Sequence, residues 1–126
     1  MGTRKLVSVV DDDEFVREAL PDLLRSYGLE ALPFGSAEDF LASEHLGRTG
    51  CLILDVSMPG MSGPDLQIEL AERKINIPIV FITANTDSLG WEVPPSGTVA
   101  CLTKPFSDAA ILEAVNSALD MQGHLE

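Results

Sequence analysis

Basic residues are scarce in this 126-residue chain: 8 Lys and Arg stand against 20 Asp and Glu, a formal net charge of −12. Binding of nucleic acid without sequence preference needs a basic face, so that class is disfavoured. The acid excess suits a divalent cation or a basic partner surface, although acidity by itself is ordinarily a solvated exterior. Long apolar runs are also missing. None approaches the roughly 18 residues of a membrane span, and no signal-like segment opens the chain, so a cytoplasmic location with no membrane contact is expected. Cysteine is limited to Cys51 and Cys101, both in apolar strand-like runs. They read as small buried hydrophobes kept reduced rather than as a disulfide or a metal pair. What the chain does have is apolar residues, 45% of the total, over the length of one ordinary domain, expected to span residues 1–126.

Strand-like and helix-like segments alternate along it. "KLVSVV" (5–10) is a short β-branched run and reads as a buried strand. Residues 14–27 place apolar side chains at helical spacing, with Asp13 as N-cap, Gly28 as stop and Pro21 as an expected kink. A weak second strand is expected at 29–33, and a helix over 36–45 from its "SAED" start. "CLILD" (51–55) is continuously apolar up to its terminal acid, as in a strand buried on both faces. A Pro- and Gly-containing loop (56–63), a helix (64–74), a strand (78–83), a strand (98–102) and a helix (107–121, N-capped by Ser107) follow. This alternation predicts right-handed crossovers and one α/β domain with a five-stranded parallel sheet.

In such a sheet, ligands bind beyond the carboxyl ends of the strands. Asp11 and Asp12 follow the first strand, Asp55 ends the third, Thr83 ends the fourth and Lys104 follows the fifth. An acid at a strand end is more often a cap or a turn former. Five reactive residues on one edge are less easily explained that way. Three carboxylates suit Mg²⁺, which prefers carboxylates, waters and phosphate oxygens. Lys104 is a point charge for a phosphoryl oxygen, and the Thr83 hydroxyl can donate to another. Asp55 is then either a third metal ligand or a nucleophile that becomes an aspartyl phosphate. Asp13 is expected to cap its helix instead of joining the cluster.

The pieces "VVDDDE", "LILDVSMPGMSG", "PIVFITA" and "LTKPF", in this order and spacing, resemble the receiver domain of two-component response regulators over residues 5–121. "SAEDFL" and "INIPIVFIT" further resemble the branch often joined to helix-turn-helix output domains. The resemblance implies a flavodoxin-like doubly wound sheet of order 2-1-3-4-5 with helices on both faces. It also implies phosphorylation of Asp55 by a histidine kinase or histidine phosphotransfer protein. Asp11 and Asp12 would be the metal-binding acid pair, with the Ser57 carbonyl completing the Mg²⁺ ligands. Thr83 would be the switch hydroxyl, Lys104 the phosphate-pairing lysine and Lys104–Pro105 a cis bond. A downstream output domain or protein, and a phosphorylation-dependent dimer, belong to the same expectation. The chain would be a signalling receiver that assists only its own phosphorylation and dephosphorylation, not an enzyme acting on other substrates.

Residues 83–106 depart from that pattern. Gly90, Pro94, Pro95 and Gly97 leave the family's fourth helix short or disrupted, so residues 86–98 are expected to be a mobile, regulated surface. Cys101 stands where receivers place an aromatic, so the usual threonine–aromatic coupling cannot operate in its familiar form. Trp91 reads first as packing for this segment and second as a partner anchor. His45 and His124 read as surface residues, Met58 and Met61 as packing. Two other functions compete with the phosphoacceptor switch. One is a receiver-like interaction module that works without phosphorylation. The other is a Mg²⁺-dependent phosphohydrolase, opposed by the lack of an acid in 56–63 and of room for a cap.

Overall fold

Every residue of Thr49–Asp55 is buried, which makes this seven-residue segment the centre of the molecule. The computed structural model describes residues 6–84 and 98–124, with side chains up to residue 120. Five parallel strands, β1 (Leu6–Val10), β2 (Glu30–Phe34), β3 (Thr49–Asp55), β4 (Ile79–Thr83) and β5 (Thr98–Thr103), form one sheet of order β2-β1-β3-β4-β5. The doubly wound order expected from the sequence is thus the one observed. Among the described residues, four helices connect or flank the strands: α1 (Glu14–Ser26), α2 (Ala37–Leu41), α3 (Gly63–Glu72) and α4 (Asp108–His124).

Alternation along the strands sorts the core into two layers. Val7, Val9, Cys51, Ile53, Val80 and Ile82 point to one face and pack with Leu20 and Leu24 of α1 and Ile111 and Val115 of α4. Val10, Leu52, Leu54, Ile79 and Phe81 point to the other and meet Phe40 of α2 and Leu66 and Leu70 of α3. Because both faces are covered, the central strands read as unbroken apolar runs rather than alternating ones. Ser8 is a polar residue inside β1, and its hydroxyl is paired with that of Thr49, the first residue of β3, at 2.7 Å.

Local chemistry sets the helix ends. The Asp13 carboxylate accepts from Phe15 N at the start of α1. Gly28, at φ +85°, closes α1, with Gly28 N donating to Arg25 O and Leu29 N to Leu24 O. Ser62 and Asp65 form a reciprocal capping box on α3. Ser107 Oγ accepts from Ala110 N at the start of α4. The helix stripe continues through Pro21, which is buried within α1.

Three expectations need correction. The helix predicted over 36–45 ends at Leu41, because Ser43 turns its hydroxyl onto His45 N and the chain then makes a 3₁₀ turn at Leu46–Arg48. The second strand lies one residue later than predicted, since its weak run offered no clear edge. Cys101 is only half-buried, because β5 is an edge strand, whereas Cys51 is fully buried in the centre. Met58 and Met61 pack against the second layer, as expected. His45 is half-buried at the surface, with Nδ1 2.9 Å from Arg48 Nη1. The expectations for residues 86–98, including Trp91 and the disrupted fourth helix, fall almost wholly outside the described residues, as does the His124 side chain. Among the described residues, no helix is long and apolar enough to cross a membrane.

Candidate functional site

The carboxyl ends of β1, β3, β4 and β5 meet over the middle of the sheet. Asp11 follows β1 directly, and its N–H donates to Phe34 O at 3.1 Å, which continues the strand pairing by one residue. The Asp11 side chain is fully buried, whereas Asp12 is exposed. Asp55, the last residue of β3, is buried and receives Ser57 N at 3.3 Å on Oδ1. Carboxylate oxygens of Asp11, Asp12 and Asp55, one from each, all lie within 4.8 Å of one another. Asp13 turns away to cap α1, and its N–H donates to Asp11 Oδ1 at 2.9 Å.

Lys104 reaches into the cluster, and the Lys104–Pro105 bond that follows it is cis, as the sequence resemblance implied. Its ammonium lies 3.0 Å from Asp11 Oδ2 and 4.0 Å from Asp55 Oδ2. Lys104 N also donates to Thr83 O at 2.7 Å, so the ends of β4 and β5 bring Thr83 and Lys104 together. Thr83 itself is buried.

Electrostatics follow from this crowding. Burial, then the neighbouring Asp11 charge, push the Asp55 carboxyl up to about 7, against the opposing pull of Lys104 and the Ser57 N–H. For Lys104, burial favours the neutral amine. Its contact with Asp11 and the negative charges of Asp11, Asp55 and Asp13 outweigh that, and its pKa is raised. Burial alone pushes the Cys51 thiol up to about 12, in keeping with a packing role.

The donor set fits a hard divalent cation. Asp11 Oδ2 is buried and has no aligned hydrogen-bond partner. The approach of Lys104 at 3.0 Å is a charge contact that leaves this oxygen with unused acceptor capacity. Three carboxylates around one point, one of them under-satisfied, match the preference of Mg²⁺ for oxygen ligands.

Sequence reading missed the residues that brace this site from outside. Arg17 of α1 donates through Nη1 to Asp11 O at 3.1 Å and so holds the acid-bearing turn. Glu38 of α2 accepts from Met61 N at 3.2 Å and holds the loop after β3. The only available signal for the second was Gly60, whose φ of +76° marks a tight turn. Gly63 explains the close seating of α3, because a Cβ there would collide with Asp55 O and Val56 Cα.

Comparison with known proteins bears on the family and the fold. Nodulation protein W of Bradyrhizobium diazoefficiens is 45% identical over 120 residues, which cover 94% of this chain and 53% of that protein. The chain thus spans about half the length of the curated relatives it matches, including FixJ of Rhizobium meliloti, which is 41% identical over 113 residues, 89% of this chain and 55% of that protein. Among solved structures, FixJ-N superposes with a TM-score of 0.82 at 39% identity, covering 91% of this chain and 93% of that one. TrrA of Thermotoga maritima, in complex with Mg²⁺-BeF, gives a TM-score of 0.78 at 27% identity over 90% of this chain and 98% of that one. The family description of the response regulator receiver domain matches residues 7–116, and the chain belongs to that family.

Proposed function

We propose that Asp55 accepts a phosphoryl group from a phosphohistidine on a histidine kinase or histidine phosphotransfer protein. The observation that carries this reading is the gathering of the Asp11, Asp12 and Asp55 carboxylates within 4.8 Å, with the Lys104 ammonium 4.0 Å from Asp55. An Asp55 carboxylate oxygen attacks phosphorus, the phosphorus–nitrogen bond of the donor breaks, and the donor imidazole leaves with its electron pair. Asp11, Asp12 and Asp55, with the carbonyl of Ser57, would hold Mg²⁺, which when bound supplies positive charge beside the phosphoryl oxygens. The Mg²⁺-BeF complex of TrrA supports the same ligand chemistry here. Lys104 would pair with a phosphoryl oxygen once released from Asp11, and Thr83 would donate to another.

Turnover on this reading is one phosphoryl group per Asp55, so the domain, taken as residues 1–126, is a switch and not an enzyme on other substrates. Its partners are the phosphodonor and an output domain or protein that reads the 84–106 face, with phosphorylation-dependent dimerisation as one readout. It works in the cytoplasm, without direct contact to nucleic acid or membrane. Incubation with Mg²⁺ and acetyl phosphate, followed by intact mass, tests the proposal. A single phosphoryl adduct that needs Mg²⁺ and disappears in Asp55→Asn is expected. No adduct on the wild type would instead favour an interaction module that works without phosphorylation.

A further inference from the structure

We propose that Glu38 is a positioning residue for the cation site, acting through the loop between β3 and α3. This loop, residues 56–62, carries Ser57, and the inference rests on the magnesium site proposed above. Bonds of nearby residues tie the loop at both sides: Ser57 N to Asp55 Oδ1, Ser62 N to Asp65 Oδ2 and, just beyond it, Gly63 N to Val56 O. Those bonds fix its two ends. Its apex, Pro59–Gly60–Met61, is held among the described residues by a side chain from elsewhere in the fold, Glu38, whose Oε2 accepts from Met61 N at 3.2 Å.

Two observations make this contact more than a chance surface bond. Gly60 adopts φ +76°, and a Cβ built on it would lie 3.0 Å from Glu38 Oε2, so the turn leaves room for the carboxylate. In addition, no ion pair of Glu38 is found among the described residues, and Arg73, across the same cleft, is committed to Glu69 at 2.7 Å. The amide is therefore the described partner of this carboxylate. A carboxylate accepting from a backbone N–H makes a charge-assisted bond, about twice as strong as a neutral one. The backbone that carries Glu38 is held in place, since Ser36 caps α2 and Ala37 and Phe40 anchor that helix in the core. A rigid support of this kind preorganises a backbone ligand, which cannot adjust as a side chain can.

Mg²⁺ titration calorimetry on wild type, Glu38→Ala and Glu38→Gln, together with Met61 amide exchange in the metal-free proteins, tests the proposal. Outer-shell residues are typically worth about 10–100-fold in metal affinity, and an exposed one belongs at the lower end. Glu38→Ala is expected to raise the Mg²⁺ Kd about tenfold and to speed Met61 exchange, with Tm nearly unchanged. Glu38→Gln keeps an acceptor oxygen but makes only a neutral bond, so it should fall between wild type and Glu38→Ala in both measurements. An unchanged Kd in Glu38→Ala beside clear binding by wild type overturns the inference alone. Equal losses in the two variants overturn it as well, because they would assign the effect to charge and not to the tether. Failure of wild type to bind Mg²⁺ would remove the proposed site and the inference with it.

Discussion

Asp55 and Asp11 carry the most informative conflict in the molecule. A buried carboxylate placed beside another carboxylate disfavours its own ionised form, which is why Asp55 is held near pH 7. The folded pKa, about 7, exceeds the ordinary 3.8, so between those values the folded protein holds a proton that the unfolded chain has released. Stability from this group is therefore greatest below about pH 4, falls as pH rises through the window and is flat above about pH 7. Asp55→Asn removes that slope. It should leave stability unchanged near pH 4 and raise it above pH 7 by about 1–4 kcal/mol, the upper figure being the full shift of this buried carboxyl. Denaturant melts of both proteins across pH would show this, and parallel curves would contradict it. Asp12 differs from Asp11 in being exposed, a distinction that two adjacent letters of sequence do not contain. The lysine's nearer partner, Asp11 rather than Asp55, was equally invisible, because it depends on how far each strand end projects above the sheet.

Helix ends are the element-scale features where a single backbone angle decides stability. α1 closes on Gly28 at φ +85°, whereas α3 closes on Lys74 at φ +60°, with Lys74 N donating to Ala71 O and Ile75 N to Leu70 O. The two termini use the same left-handed cap, but only one has the residue suited to it. Lys74→Gly is expected to stabilise by about 0.5–1 kcal/mol, and Gly28→Ala to destabilise by about 1 kcal/mol, both read by urea unfolding. A destabilised Lys74→Gly would mean that the Lys74 side chain contributes more than its backbone strain costs. These elements also mark what was legible in advance. The strands were readable because a parallel sheet covered on both faces writes itself as "VSVV", "LILD" and "IVFIT". Asp11, Asp12, Asp55 and Lys104 could be placed together because strand polarity sends every carboxyl end to one edge. α2 was read too long because its end depends on the Ser43 hydroxyl competing for His45 N, a local choice that periodicity does not record. Glu38 was missed because its contact spans 23 residues and ends on a backbone N–H, which leaves no side-chain pattern to find.

At the scale of the whole molecule, a net charge of −12 works against compaction everywhere, while the acid cluster concentrates the same repulsion at one point. The two effects respond differently to cations. Monovalent salt screens the diffuse repulsion over a Debye length and should stabilise wild type and Asp12→Ala alike. Mg²⁺ at matched ionic strength should do this and, in wild type, also bind the folded state at Asp11, Asp12 and Asp55. That specific part amounts to about 1.4 kcal/mol when free Mg²⁺ is about ten times its Kd, and it grows logarithmically with concentration. Asp12→Ala removes an exposed ligand that no core packing depends on, so its metal-free fold should be intact and, with one like charge gone, slightly more stable. Thermal melts of both proteins in MgCl₂ and in NaCl of equal ionic strength separate the terms. The expected pattern is an excess Mg²⁺ stabilisation in wild type, largely lost in Asp12→Ala, over a shared response to NaCl. If matched NaCl stabilised wild type as much as Mg²⁺ does, screening would account for the whole cation effect and the cluster would not be a binding site.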